Sequence, residues 1–233
     1  MKRKKREILA ALAGQPNSGK STIFNLLTGA RQHVANYPGV TVEKKIGAFT
    51  SNGDKVVIVD LPGTYSLTSY TQEERIARDF LLLEKPEVVI DVVDASNLER
   101  SLYLAFQLIE MGLPLVLNLN MVDVAGRRGM EIDMNELSRA LNVPVVGTIG
   151  NKGRGKAELR QAVHATYNRH DVAPFRLDYG EALESVLTCL EEKLSGYMHL
   201  MEHCSARWLA VKLMEGDSEA RRLVRQHYGE DAD

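Results

Sequence analysis

Residues 8–21 read ILAALAGQPNSGKS, and this stretch decides the fold. The apolar run Ile8–Ala13 is typical of a buried strand, and it ends at Gly14. The apolar residues that follow recur at helical spacing, which predicts a helix over Gly19–Leu27. The stretch therefore predicts a strand, a glycine-rich loop and a helix in immediate succession.

The loop between them has the pattern GxxxxGKS over residues 14–21. Such a loop turns successive backbone N–H groups and the start of a helix toward phosphate oxygens. We expect Lys20 to reach the outer phosphates and the Ser21 hydroxyl to bind Mg²⁺. A chance glycine-rich turn would not be flanked by a strand and a helix in this order, so the pattern favours a nucleotide site.

Strands and helices alternate along the rest of the first 169 residues. Buried strands are predicted over Val56–Val59, Val88–Val93, Leu115–Leu119 and Val143–Val146. Helices are predicted behind a capping box at 71–74 and over Leu98–Met111 and Met134–Leu141. Together with the phosphate loop, this alternation predicts a P-loop α/β fold, with a mostly parallel sheet and helices on both faces.

The pattern changes near residue 170. After Pro174 no further strand is predicted, and apolar residues form three helical stripes that begin at Leu183, Leu209 and Leu223. We therefore expect two domains, a nucleotide-binding domain over 1–169 and an all-helical domain over 170–233. The second is too short to bury much core alone, so it should pack on its neighbour.

Residues 120–123 read NMVD and follow the predicted strand Leu115–Leu119. In this position the Asp123 carboxylate can accept hydrogen bonds from N1–H and the 2-amino group of guanine together. Adenine has a bare acceptor at N1 and would leave the carboxylate unpaired, which is heavily penalised. Asn120 and Asp123 therefore indicate a guanine nucleotide.

Residues 60–63 read DLPG and end the strand Val56–Val59. We expect Asp60 to hold Mg²⁺ through water and the Gly63 N–H to sense the γ-phosphate. Thr41 lies between the phosphate loop and Asp60, in a segment without clear periodicity. It is the candidate for a switch threonine that closes over Mg²⁺ and γ-phosphate, and a threonine at an ordinary strand start is the alternative.

Composition excludes several other classes of protein. The 233 residues carry 29 Lys and Arg against 31 Asp and Glu, so no global basic field points to a nucleic-acid partner. No apolar run approaches the roughly 20 residues of a membrane helix. Basic residues 2–6 are interpreted as a solvated tail, with weak contact to anionic lipid as the alternative.

His199, His203 and Cys204 lie close together in the sequence and could form a metal site. Ordinary helix packing is the favoured interpretation of these three residues.

Longer motifs surround these sites: GQPNSGKSTIFNLLTG over 14–29, NYPGVTVEKKIG over 36–47, DLPGTYSL over 60–67 and LNMVD over 119–123. Together they resemble the cytoplasmic N-terminal region of the ferrous iron transporter B (FeoB) family. The resemblance implies a GTPase domain followed by a helical domain that restrains nucleotide release. It also implies that a membrane-embedded Fe²⁺ permease follows in the full-length protein. This region itself is then expected to be soluble and to lie at the cytoplasmic face of the bacterial inner membrane.

The motifs combine into one predicted site. Lys20, Thr41, Gly63 and Asn17 are given catalytic roles, and Mg²⁺ is placed on Ser21, Thr41 and Asp60. The predicted nucleotide-binding residues are Gly14, Gln15, Pro16, Asn17, Ser18, Gly19, Lys20, Ser21, Thr22, Gly39, Val40, Thr41, Asp60, Leu61, Pro62, Gly63, Asn120, Met121, Asp123, Thr148, Ile149 and Gly150.

Four positions bear on the rate of hydrolysis or on the affinity for nucleotide. Thr64 stands where many small GTPases have a glutamine that orients the attacking water, and no arginine finger is identifiable, so intrinsic hydrolysis should be slow. The resemblance suggests that K⁺ supplies the missing charge with Asn17 as a ligand, and a loop-shaping role for Asn17 is the alternative. Ile149 and Gly150 stand where the family usually has serine and alanine, which bears on nucleotide affinity and release rather than on the base chosen.

Two other functions stay open at this point, a GTPase that acts on RNA or the ribosome and a non-catalytic GTP sensor. The mixed charges after residue 170 give no support to an RNA-binding domain. Measured multiple turnover would exclude the sensor. The sequence pattern leaves the oligomeric state open, a homo-oligomer included.

Overall fold

The sheet is built from strands that follow the predicted apolar runs closely. The computed structural model describes residues 6–29, 32–37, 39–68, 70–169, 175–196 and 204–228 and contains a seven-stranded sheet. The strands are β1 (Glu7–Gly14), β2 (Gln32–Asn36), β3 (Glu43–Ser51), β4 (Asp54–Asp60), β5 (Val88–Asp94), β6 (Leu115–Asn120) and β7 (Val145–Gly147). Their order across the sheet is β2-β3-β4-β1-β5-β6-β7.

Helices connect the strands and continue beyond them. They are α1 (Lys20–Thr28), α2 (Gln72–Glu84), α3 (Leu98–Glu110), α4 (Val122–Arg127), α5 (Met134–Leu141), α6 (Lys156–Tyr167), α7 (Glu181–Ser195), α8 (Ala206–Met214) and α9 (Ser218–Tyr228). The predicted capping box is present, since Thr71 Oγ1 accepts from Glu74 N and the Glu74 carboxylate accepts from Thr71 N. Beyond residue 174, the described part of the chain contains helices and no strand, as predicted.

The centre of the sheet is parallel. Strands β4, β1, β5, β6 and β7 pair in parallel, and β1 and β5 are buried along almost their whole length. Strands covered on both faces are apolar throughout rather than alternating, which is why these runs were readable in the sequence. The predicted α/β fold is confirmed.

Strands β2 and β3 were not predicted, and both are antiparallel. The buried positions of β3 alternate at Gly47, Phe49 and Ser51. Because two of these three residues are not apolar, the sequence of β3 does not show the alternation of apolar and polar residues that predicts a strand. A Cβ at Gly47 would lie 2.4 Å from the Thr28 side chain, so glycine lets α1 approach β3 closely. The sheet is therefore mixed, with an antiparallel ribbon at one edge.

Two apolar cores cover the faces of the sheet. Helices α1 and α6 pack on one face, and α2 and α3 pack on the other. Leu187, Trp208 and Val224 from the three C-terminal helices join the core of α2 and α3. The helical region thus packs on its neighbour, as expected. Among the described helices, none combines the length and the apolar character that crossing a membrane would need.

Candidate functional site

The loop Gly14–Ser21 lies at the carboxyl edge of the parallel strands, between β1 and α1. Its conformation depends on Gly19, which has φ +85° and whose Cβ would lie 2.2 Å from Asn120 Nδ2. An L-residue at this position would be strained and would collide with β6. The loop therefore follows the strand and opens the helix, as its sequence predicts. Ser21 and Thr22 are exposed in the first turn of α1.

Asn120 joins two loops of the site. Its Nδ2 donates to Ser18 O at 3.0 Å, and its Oδ1 accepts from Gly150 N at 3.0 Å and from Thr148 Oγ1 at 3.3 Å. Both ends of a buried carboxamide are thus satisfied. Asn120 fixes the spacing between the phosphate loop and the loop after β7. The Gly150 N–H is thus engaged by the Asn120 side chain.

The segment Asp60–Gly63 lies against the phosphate loop. The Lys20 ammonium contacts the Asp60 carboxylate, and both side chains are nearly buried. A Cβ at Gly63 would lie 3.4 Å from the Pro16 backbone, and Thr64 N donates to Gly14 O at 3.3 Å. The structure therefore brings the predicted phosphate and Mg²⁺ residues Lys20 and Asp60 together.

The Thr64 side chain is engaged within its own loop. It is buried, and its hydroxyl donates to Ser66 O two residues along the chain. The neighbouring Leu61 is buried, with its N–H donating to Leu12 O at 3.0 Å. The side chain after the DLPG motif thus shapes its own loop.

Asp123 lies in the first turn of α4, after Met121 at φ +62°. Its Oδ2 accepts from Lys152 Nζ at 2.8 Å and from Arg127 Nη1 at 3.2 Å. The hydrogen bond from Lys152 is the main reason that the pKa of Asp123 lies below its ordinary value. The carboxylate is therefore ionised and able to accept from a base. Thr148 and Ile149 are buried beside it in the loop after β7.

The segment with Gly39, Val40 and Thr41 is only loosely attached to the site. Gly39 and Thr41 are exposed, and Val40 N donates to Tyr37 O at 3.3 Å. Within the described ranges, no hydrogen bond joins Thr41 to Ser21 or Asp60. The assignment of Ser21, Thr41 and Asp60 to one Mg²⁺ therefore stays a prediction.

Asn17 is exposed at φ +66°, a backbone region that asparagine tolerates better than most residues. It lines a polar pocket of about 190 Å³ together with Gln15, Ser18, Tyr65 and Arg100. Gln15 Nε2 donates to Arg100 O at 2.8 Å, which ties the phosphate loop to α3. The conformation fits a loop-shaping role for Asn17 and leaves its carboxamide accessible.

Sequence reasoning missed several residues that hold the site. Tyr37 is buried and donates to Asp60 O at 3.1 Å, and Gln107 accepts from Leu67 N at 2.6 Å. The aromatic residue inside NYPG was a usable signal for Tyr37. Gln107 sits in an amphipathic helix, where nothing local distinguishes it.

The C-terminal helices contact α2 and α3 through polar groups as well as through the core. Buried Arg78 on α2 lies 4.0 Å from Asp217 Oδ1, which also caps α9. On α3, the Glu110 carboxylate accepts from Tyr179 Oη, and Glu110 O accepts from Ser205 Oγ at 2.6 Å. Two helices that border the nucleotide loops therefore also touch the helical region.

The metal alternative falls partly outside the described residues, because His199 and His203 are not among them. Cys204 is buried, and burial raises the pKa of its thiol to about 12. In the part of the chain that is described, no group of three or more His, Cys, Asp or Glu side chains could hold a metal ion.

Comparison with known proteins decides the family. Residues 8–163 match the family described as Ferrous iron transport protein B, and residues 179–233 match the FeoB cytosolic helical domain. The chain belongs to the FeoB family. A Porphyromonas gingivalis Fe(2+) transport protein A/Fe(2+) transporter FeoB fusion protein is 46% identical over 221 residues. That match covers 93% of this chain and 26% of the relative, so the chain spans about a quarter of this FeoB protein's length.

Solved FeoB structures share the fold. A GDP-bound mutant of the S. thermophilus FeoB G-domain is 42% identical, with a TM-score of 0.84, and the match covers 92% of this chain and 81% of that one. The cytosolic domain of T. maritima FeoB in a GMPPNP form is 39% identical, with a TM-score of 0.83 and coverage of 97% and 89%. The P-loop GTPase fold with a C-terminal helical region is thus the FeoB cytosolic architecture.

Proposed function

We propose that this chain binds GTP with Mg²⁺, hydrolyses it slowly, and regulates Fe²⁺ uptake through a membrane permease that lies outside these 233 residues. The observation that carries the proposal is the meeting of Lys20, Asp60, Asn120 and Asp123 at one edge of a parallel sheet. Nucleotides bind at this edge in open α/β folds because the loops after the strands converge there. Nucleotide-bound FeoB relatives with the same fold support it.

The residues present fit a guanine nucleotide with Mg²⁺. Gly19 leaves the loop backbone free to approach phosphate, and Lys20 supplies a cation beside it. Ser21, Thr41 and Asp60 are the oxygen ligands that we assign to Mg²⁺, which supplies charge neutralisation at the phosphates when bound. Asp123 reads N1–H and the 2-amino group of guanine. Thr41 and Gly63 then report whether a γ-phosphate is present.

Titration with fluorescent GDP and a phosphate-release assay test this proposal. Lys20→Ala should abolish turnover, and wild type should turn over GTP repeatedly and prefer it to ATP. Asp123→Asn should transfer the preference from guanosine to xanthosine nucleotides, since xanthine carries an acceptor where guanine carries the 2-amino donor. Equal binding of GTP and ATP by wild type would contradict the proposal, and binding without turnover would leave a GTP sensor.

We further propose that K⁺ stimulates hydrolysis through Asn17. Buried Thr64 offers no side chain to orient water, so another source of transition-state stabilisation is needed. Asn17→Gly keeps the left-handed conformation and removes the carboxamide, whereas Asn17→Ala also strains the loop. Loss of K⁺ stimulation in both variants would support a cation ligand. Normal stimulation in Asn17→Gly, or equal wild-type rates in K⁺ and Na⁺, would contradict it.

The division into a GTP-binding domain over 1–169 and a helical domain over 170–233 that restrains nucleotide release is also a proposal. It is supported by the approach of Arg78 on α2 to Asp217 at 4.0 Å and by the contacts of Glu110 with Tyr179 and Ser205. Because α2 is the next helix along the chain after the DLPG segment, movement of that segment would act on the Arg78–Asp217 contact.

Stopped-flow release of fluorescent GDP tests the restraint. Asp217→Asn keeps a good helix cap and removes one of two carboxylate charges beside Arg78, the other being that of Asp79 on the same helix. Release should therefore accelerate several-fold. Asp178→Asn is the control, because Asp178 also accepts from a backbone N–H, of Gly180 at 2.8 Å, but is exposed. Equal release rates in both variants would contradict the restraint.

The link to iron is tested in the full-length transporter rather than in this chain. Uptake of Fe²⁺ by cells that carry Lys20→Ala in the full-length protein should fall to background. Unchanged uptake would contradict a regulatory role for GTP while leaving nucleotide binding intact.

A further inference from the structure

Asp123 is held by two cations on one of its oxygens. Lys152 Nζ and Arg127 Nη1 both donate to Oδ2, at 2.8 Å and 3.2 Å. Arg127 lies one turn along the same helix and its side chain is two-thirds exposed, so it shares the movements of α4. Lys152 comes from a different element, the turn Gly150–Lys152 after β7. The hydrogen bond from Lys152 therefore connects the Asp123 carboxylate, which is proposed to read the base, to the loop after β7.

The backbone around Lys152 forms a hydrogen-bonded turn. Lys152 N donates to Ile149 O at 2.9 Å, and Gly153 closes the turn with φ +69°. The same turn is fixed to β6 through Gly150 N and Asn120 Oδ1 at 3.0 Å. The lysine thus projects from a turn that is anchored to the phosphate loop through Asn120.

The loop after β7 offers Asp123 no hydroxyl group. Position 149 is a buried isoleucine, and the neighbouring Thr148 hydroxyl donates to Asn120 Oδ1 at 3.3 Å. A carboxylate that reads two donors of one base must hold its plane in the plane of that base. In this chain an ion pair is the available means of holding it.

We propose that Lys152 is a positioning residue for guanine recognition, which orients Asp123 in place of the hydroxyl that residue 149 lacks. The inference rests on the proposed nucleotide site and names a determinant of its specificity. A carboxylate has about four lone-pair sites, and Lys152 and Arg127 occupy the two on Oδ2. One base donor then binds Oδ1, and the second takes the place of the exposed Arg127 on Oδ2. Lys152 stays in place when the base binds and does not compete with it.

The test compares GDP with IDP, because inosine lacks the 2-amino group and makes one hydrogen bond fewer to Asp123. Lys152→Ala should weaken GDP binding about 2- to 5-fold, the size expected for an ion pair whose lysine is half exposed. IDP binding should change less, so the preference for GDP over IDP should shrink. Lys152→Arg, which keeps the cation, should restore most of that preference.

Lys156→Ala is the charge-matched control, since Lys156 begins α6 in the same stretch and has no hydrogen bond to Asp123 within the described residues. It should leave the GDP-to-IDP ratio unchanged. If Lys152→Ala weakened the binding of GDP and of IDP equally, Lys152 would act only by attracting the phosphates, and the proposal would be overturned. Tighter GDP binding would make it a competitor of the base and also overturn it.

The proposed function and this inference fail in different ways. A wild-type chain that binds neither GDP nor IDP in preference to ADP contradicts the nucleotide site itself. A wild-type chain that prefers GDP, with a ratio insensitive to Lys152→Ala, contradicts only the positioning role. Melting curves of each variant with and without GDP separate loss of fold from loss of recognition.

Discussion

Two halves of the nucleotide site differ in how they are held. The fixed half consists of Gly14–Ser21 with Asn120 and Thr148–Gly150, where loops are joined by buried side-chain hydrogen bonds. The switching half consists of Gly39–Thr41 and Asp60–Gly63. Of these, Gly39 and Thr41 are exposed, and the nearest buried anchor of their segment is Tyr37.

The difference matches the work that each half must do. The phosphates and the base have to be bound in both the GTP and the GDP state. This requirement favours a preorganised binding site whose polar groups are already hydrogen-bonded. A γ-phosphate sensor has to adopt two arrangements. The segment 39–41, with Gly39 and Thr41 exposed, has the few buried contacts that this requires, whereas Asp60 and Leu61 of the other segment are buried. Substitutions in the fixed half should therefore act on stability and affinity, and those in the switching half on turnover.

The largest effect is expected at Asn120. Asn120→Leu leaves Ser18 O, Gly150 N and the Thr148 hydroxyl without this partner and should cost about 3–5 kcal/mol of unfolding free energy. Asn118 is the matched control: it lies two residues earlier on β6, fully buried, and its carboxamide makes no hydrogen bond to the described residues. Asn118→Leu should be neutral or stabilising in denaturant titrations. Similar losses in both variants would contradict the bridging role.

A pH-dependent effect of up to about 4 kcal/mol is expected at Asp91, in β5 beneath the phosphate loop. Burial raises the pKa of this carboxyl to about 7. The folded chain thus keeps a proton that the unfolded chain releases near pH 4, so stability falls as pH rises from about 4 to about 7. Asp91→Asn should stabilise the chain at pH 8 and change little at pH 4. A gain of equal size at both pH values would contradict this reasoning.

In the switching half, Thr41→Ala should lower kcat about 10-fold or more, because its contacts form only around Mg²⁺ and γ-phosphate. GDP affinity and the melting temperature should stay close to wild type, since Thr41 is exposed. Thr50→Ala, at an exposed threonine near the far end of β3, controls for nonspecific effects and should leave kcat unchanged. A fall in GDP affinity would place Thr41 in the fixed half.

The smallest effect concerns the anchor itself. Tyr37→Phe removes the hydrogen bond to Asp60 O and should cost about 0.5–1.5 kcal/mol, while the ring keeps its edge contact with Phe80. Tyr103→Phe, at an exposed tyrosine, should be neutral in the same thermal unfolding measurement. Equal stability of both variants would show that Tyr37 anchors its segment through packing alone.

The predictable parts of this molecule are those whose signal is local. The central strands were readable because strands buried on both faces are apolar throughout, and α2 because Thr71 and Glu74 cap it. The ribbon of β2 and β3 was missed because Gly47 and Ser51 occupy buried positions without an apolar side chain. Thr41 remains a prediction, since no described contact joins it to the site.

By itself, the sequence determined the order strand, loop, helix around Lys20, the choice of Asp60 and Asp123 as site residues, and the change to helices after residue 174. Each depends on neighbours within a few residues, where periodicity and motif spacing carry the information. Only the tertiary structure decided that Asn120 bridges two loops, that Lys152 holds Asp123 and that Arg78 faces Asp217. These pairs lie from about 30 to about 140 residues apart, and the packing that brings them together leaves no trace in the local pattern.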